Sequence, residues 1–300
     1  MKKILILALF AMAVSACSDE KKTDSTTAAD TTATTTATTA EPESTVPSLQ
    51  KVWETDTVLT TVESTLYDAK SGVIYTSNIE GGPNEKDGKG SISKLKPDGT
   101  IEKVKWVSGL NAPKGMAILN DKLYVTDVDQ LVEINIADGK IVKRYPVKGA
   151  KFLNDAATDG TKVYFTDMQT GKVHVLENAQ IGTVAEGLEN INGLAFNDKG
   201  GMLFLNGKGL GQYNMQDKKS SFVNEVVTGG DGLVVIDDNT YIASRWQGEI
   251  YLVKDGKEHL LLDTKGESSN TADIDYIKDQ NLVLVPTFLK NKVVAYKLTY

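Results

Sequence analysis

From about residue 60 onward the chain is written as short apolar runs broken by turn residues. Three runs share one pattern: Ile74-Tyr75-Thr76-Ser77-Asn78, Leu123-Tyr124-Val125-Thr126-Asp127 and Val163-Tyr164-Phe165-Thr166-Asp167. Weaker copies follow at Leu203-Phe204-Leu205-Asn206, Thr240-Tyr241-Ile242-Ala243-Ser244 and Leu282-Val283-Leu284-Val285-Pro286. Taking Tyr75, Tyr124, Tyr164, Phe204, Tyr241 and Val283 as markers, the spacings are 49, 40, 40, 37 and 42 residues. That is about the length of a four-stranded propeller blade. An extra loop, Gly81 to Gly90, accounts for the long first interval. No segment sustains a helical period.

Each copy reads as four strands. Asn120-Asp121, Asp159-Gly160, Asp198-Lys199-Gly200 and Asp237-Asp238 fall between the first two strands. Asp98-Gly99, Asp138-Gly139 and Asp255-Gly256 fall between the last two. Such residues suit hairpin turns because the turn needs positive φ. Third strands alternate, as in Lys172-Val173-His174-Val175-Leu176 and Glu249-Ile250-Tyr251-Leu252-Val253. The sixth copy is one strand short, ending at Lys292 to Leu298, while an orphan strand, Gln50 to Thr57, precedes the first. The expectation is an all-β, six-bladed β-propeller of four-stranded antiparallel blades. The N-terminal strand closes the ring as outer strand of the last blade, removing the free edges. A sandwich or solenoid explains neither the period nor the missing strand.

The first residues have another character. Lys2 and Lys3 precede an apolar run, Ile4 to Val14, too short to span a bilayer but suited to a signal peptide. It ends at Val14-Ser15-Ala16-Cys17, which resembles the lipobox of bacterial lipoproteins. The resemblance implies cleavage after residue 16 and lipidation of Cys17, so that the membrane is a partner through that residue. The alternative is an ordinary secretory signal with a coincidental cysteine. Residues 17–47 are rich in Thr, Ala, Ser and acids and read as a disordered tether. Ser18 after the cysteine resembles lipoproteins sent to the outer membrane, which implies a lipid-anchored place in the bacterial cell envelope. The division is then 1–16 signal, 17–47 tether and 48–300 propeller.

Composition narrows the chemistry. One cysteine excludes an intramolecular disulfide and thiolate zinc sites. The two histidines, His174 and His259, fall on outer strands and read as surface or packing residues. A net charge of -7 argues against nucleic acid. No phosphate-binding loop of the G-x-x-x-x-G-K-[ST] type occurs, so nucleotide binding is unsupported. In a propeller the first strand of each blade lines the central channel. Counting back from the markers, Lys114, Asn154, Asp231 and Asp273 lie ten residues before theirs, and Glu63 and Asn192 twelve. Even offsets predict one direction for all six side chains. The expectation is a ring of Glu63, Lys114, Asn154, Asn192, Asp231 and Asp273, with Asp155 beside it. Its carboxylates and amide oxygens suit a hard divalent cation. Asn192-Gly193 and Asp231-Gly232 could instead be simple hairpin turns.

The sequence resembles the senescence-marker-protein-30/gluconolactonase family of six-bladed propellers over about residues 58 to 298. The resemblance rests on Glu63-Ser64 before Leu66-Tyr67-Asp68, on Asn154-Asp155, on Asn192-Gly193-Leu194 and on Asp231-Gly232-Leu233. It implies one divalent cation (Ca²⁺, Mg²⁺, Mn²⁺ or Zn²⁺) held by Glu63, Asn192 and Asp231. It also implies Asn154 beside the metal and a small-molecule, carbohydrate-derived ligand. The implied activity is lactone or ester hydrolysis, the metal polarising the carbonyl and Asp231, or the water it orients, supplying the base.

Two positions depart from the family. Phe152 stands where its lactonases carry an arginine for the sugar, and Lys114 puts a cation into the ring. Lys114 could hold an anionic group of the substrate, or pair with Asp155 or Asp273 and partly replace the metal. Phe152, Lys114, Asn154, Asp155 and Asp273 are therefore the substrate-binding candidates. Tyr124-Val125-Thr126-Asp127 also resembles the repeat signature of surface-layer propellers. That resemblance favours a rival function, a non-catalytic ligand- or protein-binding scaffold.

Overall fold

The computed structural model describes residues 46–300. The signal, the tether up to residue 45 and the lipidation expected at Cys17 lie outside the described residues. Strand β1 (Ser48–Glu54) is followed by five four-strand units and a sixth of three strands. Blade 1 is β2 (Val62–Asp68), β3 (Val73–Asn78), β4 (Gly90–Leu95) and β5 (Ile101–Leu110). Blade 2 is β6 (Pro113–Leu119), β7 (Lys122–Asp127), β8 (Gln130–Asn135) and β9 (Ile141–Pro146). Blade 3 is β10 (Leu153–Thr158), β11 (Val163–Asp167), β12 (Lys172–Glu177) and β13 (Gln180–Ala185). Blade 4 is β14 (Leu194–Phe196), β15 (Met202–Asn206), β16 (Gly209–Asn214) and β17 (Lys219–Asn224). Blade 5 is β18 (Leu233–Asp237), β19 (Thr240–Arg245), β20 (Glu249–Lys254) and β21 (Lys257–Asp263). Blade 6 is β22 (Asp275–Ile277), β23 (Leu282–Pro286) and β24 (Val293–Thr299), completed by β1. The protein is thus an all-β, six-bladed propeller.

The expected closure is present. β1 runs antiparallel to β24 from Ser48↔Thr299 to Glu54↔Val294, so the last blade has the order β1-β24-β23-β22. The turn residues sit where their dihedrals require. Asn120 and Asp121 both have positive φ (52° and 60°). Gly99 (φ 86°) and Gly139 (φ 71°) turn between the third and fourth strands of their blades. A side chain at Gly99 would meet the Trp53 ring at 2.6 Å, and one at Gly139 the Trp106 ring at 2.9 Å. Each glycine therefore lets an indole close over the turn.

The core lies between blades. Val163 and Phe165 pack with Ala117 and Leu131 of blade 2, whereas Tyr164 packs with Leu194, Met202 and Phe204 of blade 4. Successive residues of β11 thus serve opposite interfaces, as strand alternation requires. This explains why the second strands read as continuous apolar runs: both faces are covered. The first and last blades meet through Leu59, Val62, Ile74 and Leu95 against Leu282, Leu284, Val293 and Ala295.

Candidate functional site at one mouth of the channel

The inner strands start with an irregularity that aims the site. The N–H of Asn192 donates to the carbonyl of Leu205 (2.9 Å), and the N–H of Leu205 returns to the carbonyl of Gly193 (2.8 Å). Asp231, Gly232 and Ser244 repeat this arrangement at 2.8 and 2.9 Å. Two residues oppose one, which is a β-bulge, and a bulge turns side chains off the strand's ordinary alternation. Register shifts put the same feature at Glu63-Ser64, Lys114-Gly115 and Asn154-Asp155. Asn192-Gly193 and Asp231-Gly232 are therefore bulges rather than hairpin turns.

The bulge explains the repeated Thr/Ser-Asp/Asn endings of the second strands. Ser77 Oγ accepts the Ser64 N–H (3.1 Å), Thr166 Oγ1 that of Asp155 (3.0 Å) and Ser244 Oγ that of Gly232 (2.8 Å). The following Asp127 accepts the N–H groups of Asn111 and Ala112 just before β6. Asp167 does the same for Lys151 and Phe152 before β10. The Tyr-x-Thr-Asp motif thus fixes the entry of the inner strand.

One expected ring member is corrected. In blade 6 it is Ala272 whose N–H donates to the Pro286 carbonyl (3.1 Å), and whose carbonyl accepts Ser244 Oγ (2.6 Å). Ala272 therefore holds the place of Asn192 and Asp231, and Asp273 falls one residue later, in the place of Asp155. Phe204, Tyr241 and Val283 all face the preceding blade, one residue out of phase with Tyr75, Tyr124 and Tyr164; the hairpin length offsets that slip at Asn192 and Asp231 but not in blade 6. The ring is Glu63, Lys114, Asn154, Asn192, Asp231 and Ala272. Behind it come Ser64, Gly115, Asp155, Gly193, Gly232 and Asp273.

This second tier joins blade to blade. Asp155 accepts the N–H groups of Ala156 (2.6 Å) and Leu194 (2.5 Å), and Asp273 accepts Ser64 Oγ (2.6 Å). Both line a channel cavity of about 410 Å³ that does not include Glu63, Asn192 or Asp231 among its walls. The three glycines are required by close approach. A Cβ at Gly193 would lie 2.3 Å from the Asp231 carbonyl oxygen, and one at Gly232 2.3 Å from the Ile274 nitrogen.

At the ring itself Asn192 Nδ2 donates to Asp231 Oδ1 (2.8 Å). Glu63 Oε2 and Asn192 Oδ1 are buried and have no partner. Glu63, Asn154 and Asp231 are each 5–6% exposed. Burial pushes Asp231 up to about 7, against the hydrogen bond from Asn192. Burial, then the carboxylates of Asp231 and Asp273, holds Glu63 well above the usual range. Burial also raises Asp155 and Asp273. Lys114 does not pair with Asp155 or Asp273. Its Nζ donates to the carbonyls of Pro83 (2.8 Å) and Ala112 (3.0 Å) and lies 4.8 Å from the Phe152 ring centroid. It thereby ties the Gly81–Gly90 loop to the ring, and burial lowers its pKa.

The donor set fits a divalent cation. Two carboxylates and an amide oxygen are hard ligands, and two of their buried acceptors lack any hydrogen. Among the described residues no group of three or more His, Cys, Asp or Glu side chains is gathered as a metal cluster, so a cation here depends on the amide of Asn192. The histidines stand apart: His174 is on β12, buried against Phe165 with Nδ1 3.1 Å from Thr183 Oγ1, and His259 is on β21.

A second rim, absent from the sequence reading, surrounds the ring. The residue after the second strand is Ile79, Val128, Met168, Gly207 or Trp246 in blades 1 to 5, and in blade 6 the matching place, two residues past the end of β23, is Phe288. Five of the six are apolar side chains. Ile79 and Val128 are buried with Ala112, and Phe288 packs on that group. The signal was available in the repeat, as one position read down six copies.

No protein-family model and no curated protein matches this sequence. Among solved structures, a protein named as a candidate gluconolactonase superposes with a TM-score of 0.64 at 15% identity, covering 86% of this chain and 93% of that one. A streptogramin B lyase gives 0.58 at 14% identity, covering 84% and 97%. A chain of a nidogen/laminin complex gives 0.57 at 15% identity, covering 68% and 80%. At such identities the likeness is one of fold, and it agrees with the propeller described above.

Proposed function

We propose that the domain is a divalent-metal-dependent hydrolase of lactones or esters. The observation that carries this reading is the pair of unpartnered buried acceptors, Glu63 Oε2 and Asn192 Oδ1, beside an Asp231 carboxyl titrating near neutrality. Glu63, Asn192 and Asp231 would hold the cation, which supplies Lewis acidity toward a carbonyl oxygen. With a cation bound Asp231 would be an ionised carboxylate, placed to take a proton from water as it adds to the carbonyl carbon. Scission of the acyl C–O bond then returns that proton to the leaving alkoxide, giving a hydroxy acid from a lactone. Asn192 orients Asp231 through its amide hydrogen bond, and Asn154 offers an amide to the substrate. Lys114, held by two carbonyls, places positive charge beside the site without neutralising its carboxylates.

The likeness to a candidate gluconolactonase supports the reading at the level of fold only. The rival, a binding propeller without catalysis, draws the same limited support from the nidogen/laminin chain. We further propose that a lipid on Cys17 anchors the domain in the bacterial envelope. The test of the hydrolase is a lactone and aryl-ester panel under Ca²⁺, Mg²⁺, Mn²⁺ and Zn²⁺, with Asp231→Ala as control. Metal-dependent turnover abolished in Asp231→Ala is expected. Equal turnover by both proteins removes Asp231 from catalysis, and none under any metal leaves the binding propeller.

A further inference from the structure

Trp246 is an outlier in this fold. Trp53 and Trp106 are packed between blades, whereas Trp246 leaves 40% of its surface exposed. Its backbone is nevertheless tightly held. Asn270 Nδ2 donates to the Trp246 carbonyl (3.0 Å), and Thr271 Oγ1 (2.7 Å) and the Gly248 N–H (2.9 Å) donate to that of Arg245. An exposed indole on an anchored backbone is a rigid apolar platform, and such platforms are costly to leave in water unless something covers them.

Its place is fixed by the register. Trp246 follows Ser244, whose carbonyl accepts the Asp231 N–H, by two residues. Phe288 forms an antiparallel bridge with Val62, the neighbour of Glu63. The two rings meet edge to face with centroids 5.5 Å apart. Phe288 has φ 48°, an unusual backbone for an aromatic residue, and strain of this kind persists where the surroundings impose it, often at ligand sites. The aromatic pair therefore stands over the side of the ring that carries Asp231 and Glu63. Phe152, at the entry to blade 3, adds a further aromatic ring, 4.8 Å from Lys114 Nζ. Beside Trp246, Asn270 is 8% exposed with its Oδ1 buried and unpartnered, so one acceptor remains at the platform's edge.

We propose that this mouth is a subsite for a flat apolar ring on the ligand, with Trp246 and Phe288 as its specificity-determining residues. The ligand is an aryl-fused or cycloalkyl lactone or ester, not a polyhydroxylated sugar lactone. The naming of a lactone or ester rests on the proposed function, whereas the apolar subsite does not. Beside the exposed indole the rim presents the half-buried side chains of Met168 and Phe288, while Ile79 and Val128 are buried with Ala112 behind Phe288; a flat apolar ring covers such a surface without stranding the hydroxyls that a sugar lactone carries. A bicyclic arene ester can lay its ring on the indole and direct its carbonyl toward Glu63, Asn192 and Asp231.

The test separates binding from turnover. The soluble domain is titrated with chroman, a non-hydrolysable ring, while tryptophan emission is recorded, and with gluconolactone in parallel. Saturable quenching by chroman, absent in Trp246→Ala and weakened in Phe288→Ala, is expected, with gluconolactone giving none. If the domain hydrolyses dihydrocoumarin, Trp246→Ala should raise its KM about tenfold with kcat little changed, and Trp246→Phe should restore part of the loss. An unchanged melting temperature shows that Trp246→Ala is folded; if it is not, Trp246→Phe carries the comparison. Lack of quenching by chroman, quenching that survives in the variants, or tighter binding of gluconolactone overturns the proposal. Quenching without hydrolysis under any metal overturns the hydrolase reading and leaves the subsite standing.

Discussion

Removing metal and raising pH should destabilise the domain in a way that few proteins show between acid and neutral pH. The perturbation is deprotonation of the ring. Asp231 has its pKa raised from 3.8 to about 7 by burial. A carboxyl that binds its proton more tightly folded than unfolded stabilises fully below the unfolded pKa and loses that contribution as pH rises through the folded one. From about pH 5 to about pH 8, roughly two pKa units are crossed, worth about 3 kcal/mol for Asp231 alone. For a domain of this size that is a fall of about 6–12 °C in melting temperature. Asp275, raised to about 6 by burial, acts in the same direction, as do the raised carboxyls of Glu63 and Asp273. The assay is calorimetry of the soluble domain in chelator across this range, repeated with saturating cation and with Asp231→Asn. Metal should remove most of the fall, because its charge replaces the proton as the neutralising partner, and Asp231→Asn should flatten the metal-free curve. A metal-free melting temperature that stays level or climbs over the range refutes the reasoning.

Two further outcomes follow from single positions. Gly232→Ala should cost about 3 kcal/mol or more, since its Cβ would sit 2.3 Å from the Ile274 nitrogen, whereas Gly266→Ala, with open space around it, should be nearly silent in the same denaturant titration. Full-length protein expressed in a bacterium should partition into the detergent phase and lose that behaviour in Cys17→Ser; equal partitioning of the two forms would remove the lipid anchor.

The propeller was legible because two signals agreed, a repeat of about forty residues and turn chemistry at fixed places within it. The ring was legible for Glu63, Lys114, Asn154, Asn192 and Asp231, because a bulge recurs at the same point and keeps them in phase. It failed at Asp273 because Val283, in the wholly buried β23, faces the preceding blade as Phe204 and Tyr241 do, and in blade 6 the hairpin length does not cancel the slip as it does for Asn192 and Asp231. One-residue slips are invisible where both faces of a strand are buried. The role of Lys114 was missed for a different reason. Its partners are the carbonyls of Pro83 and Ala112, and backbone acceptors leave no trace in sequence. The closing strand was expected over Gln50 to Thr57 and is observed as Ser48–Glu54, an offset at the element boundary that leaves the topology intact. Trp246 and Phe288 share one position of the repeat, but their edge-to-face contact across blades 5 and 6 is set by the three-dimensional register.

The clasp between β1 and β24 has a consequence for how the chain could be rearranged. Because Ser48 pairs with Thr299, the two ends of the propeller emerge side by side, and a short linker could join them. The chain could then be reopened at an outer hairpin such as Asp255-Gly256, far from the channel, with every site-bearing inner strand left whole. Blade 6 would become a continuous four-strand unit like the others, and the point at which the ring is cut would be a matter of genetic order, independent of the chemistry at its axis.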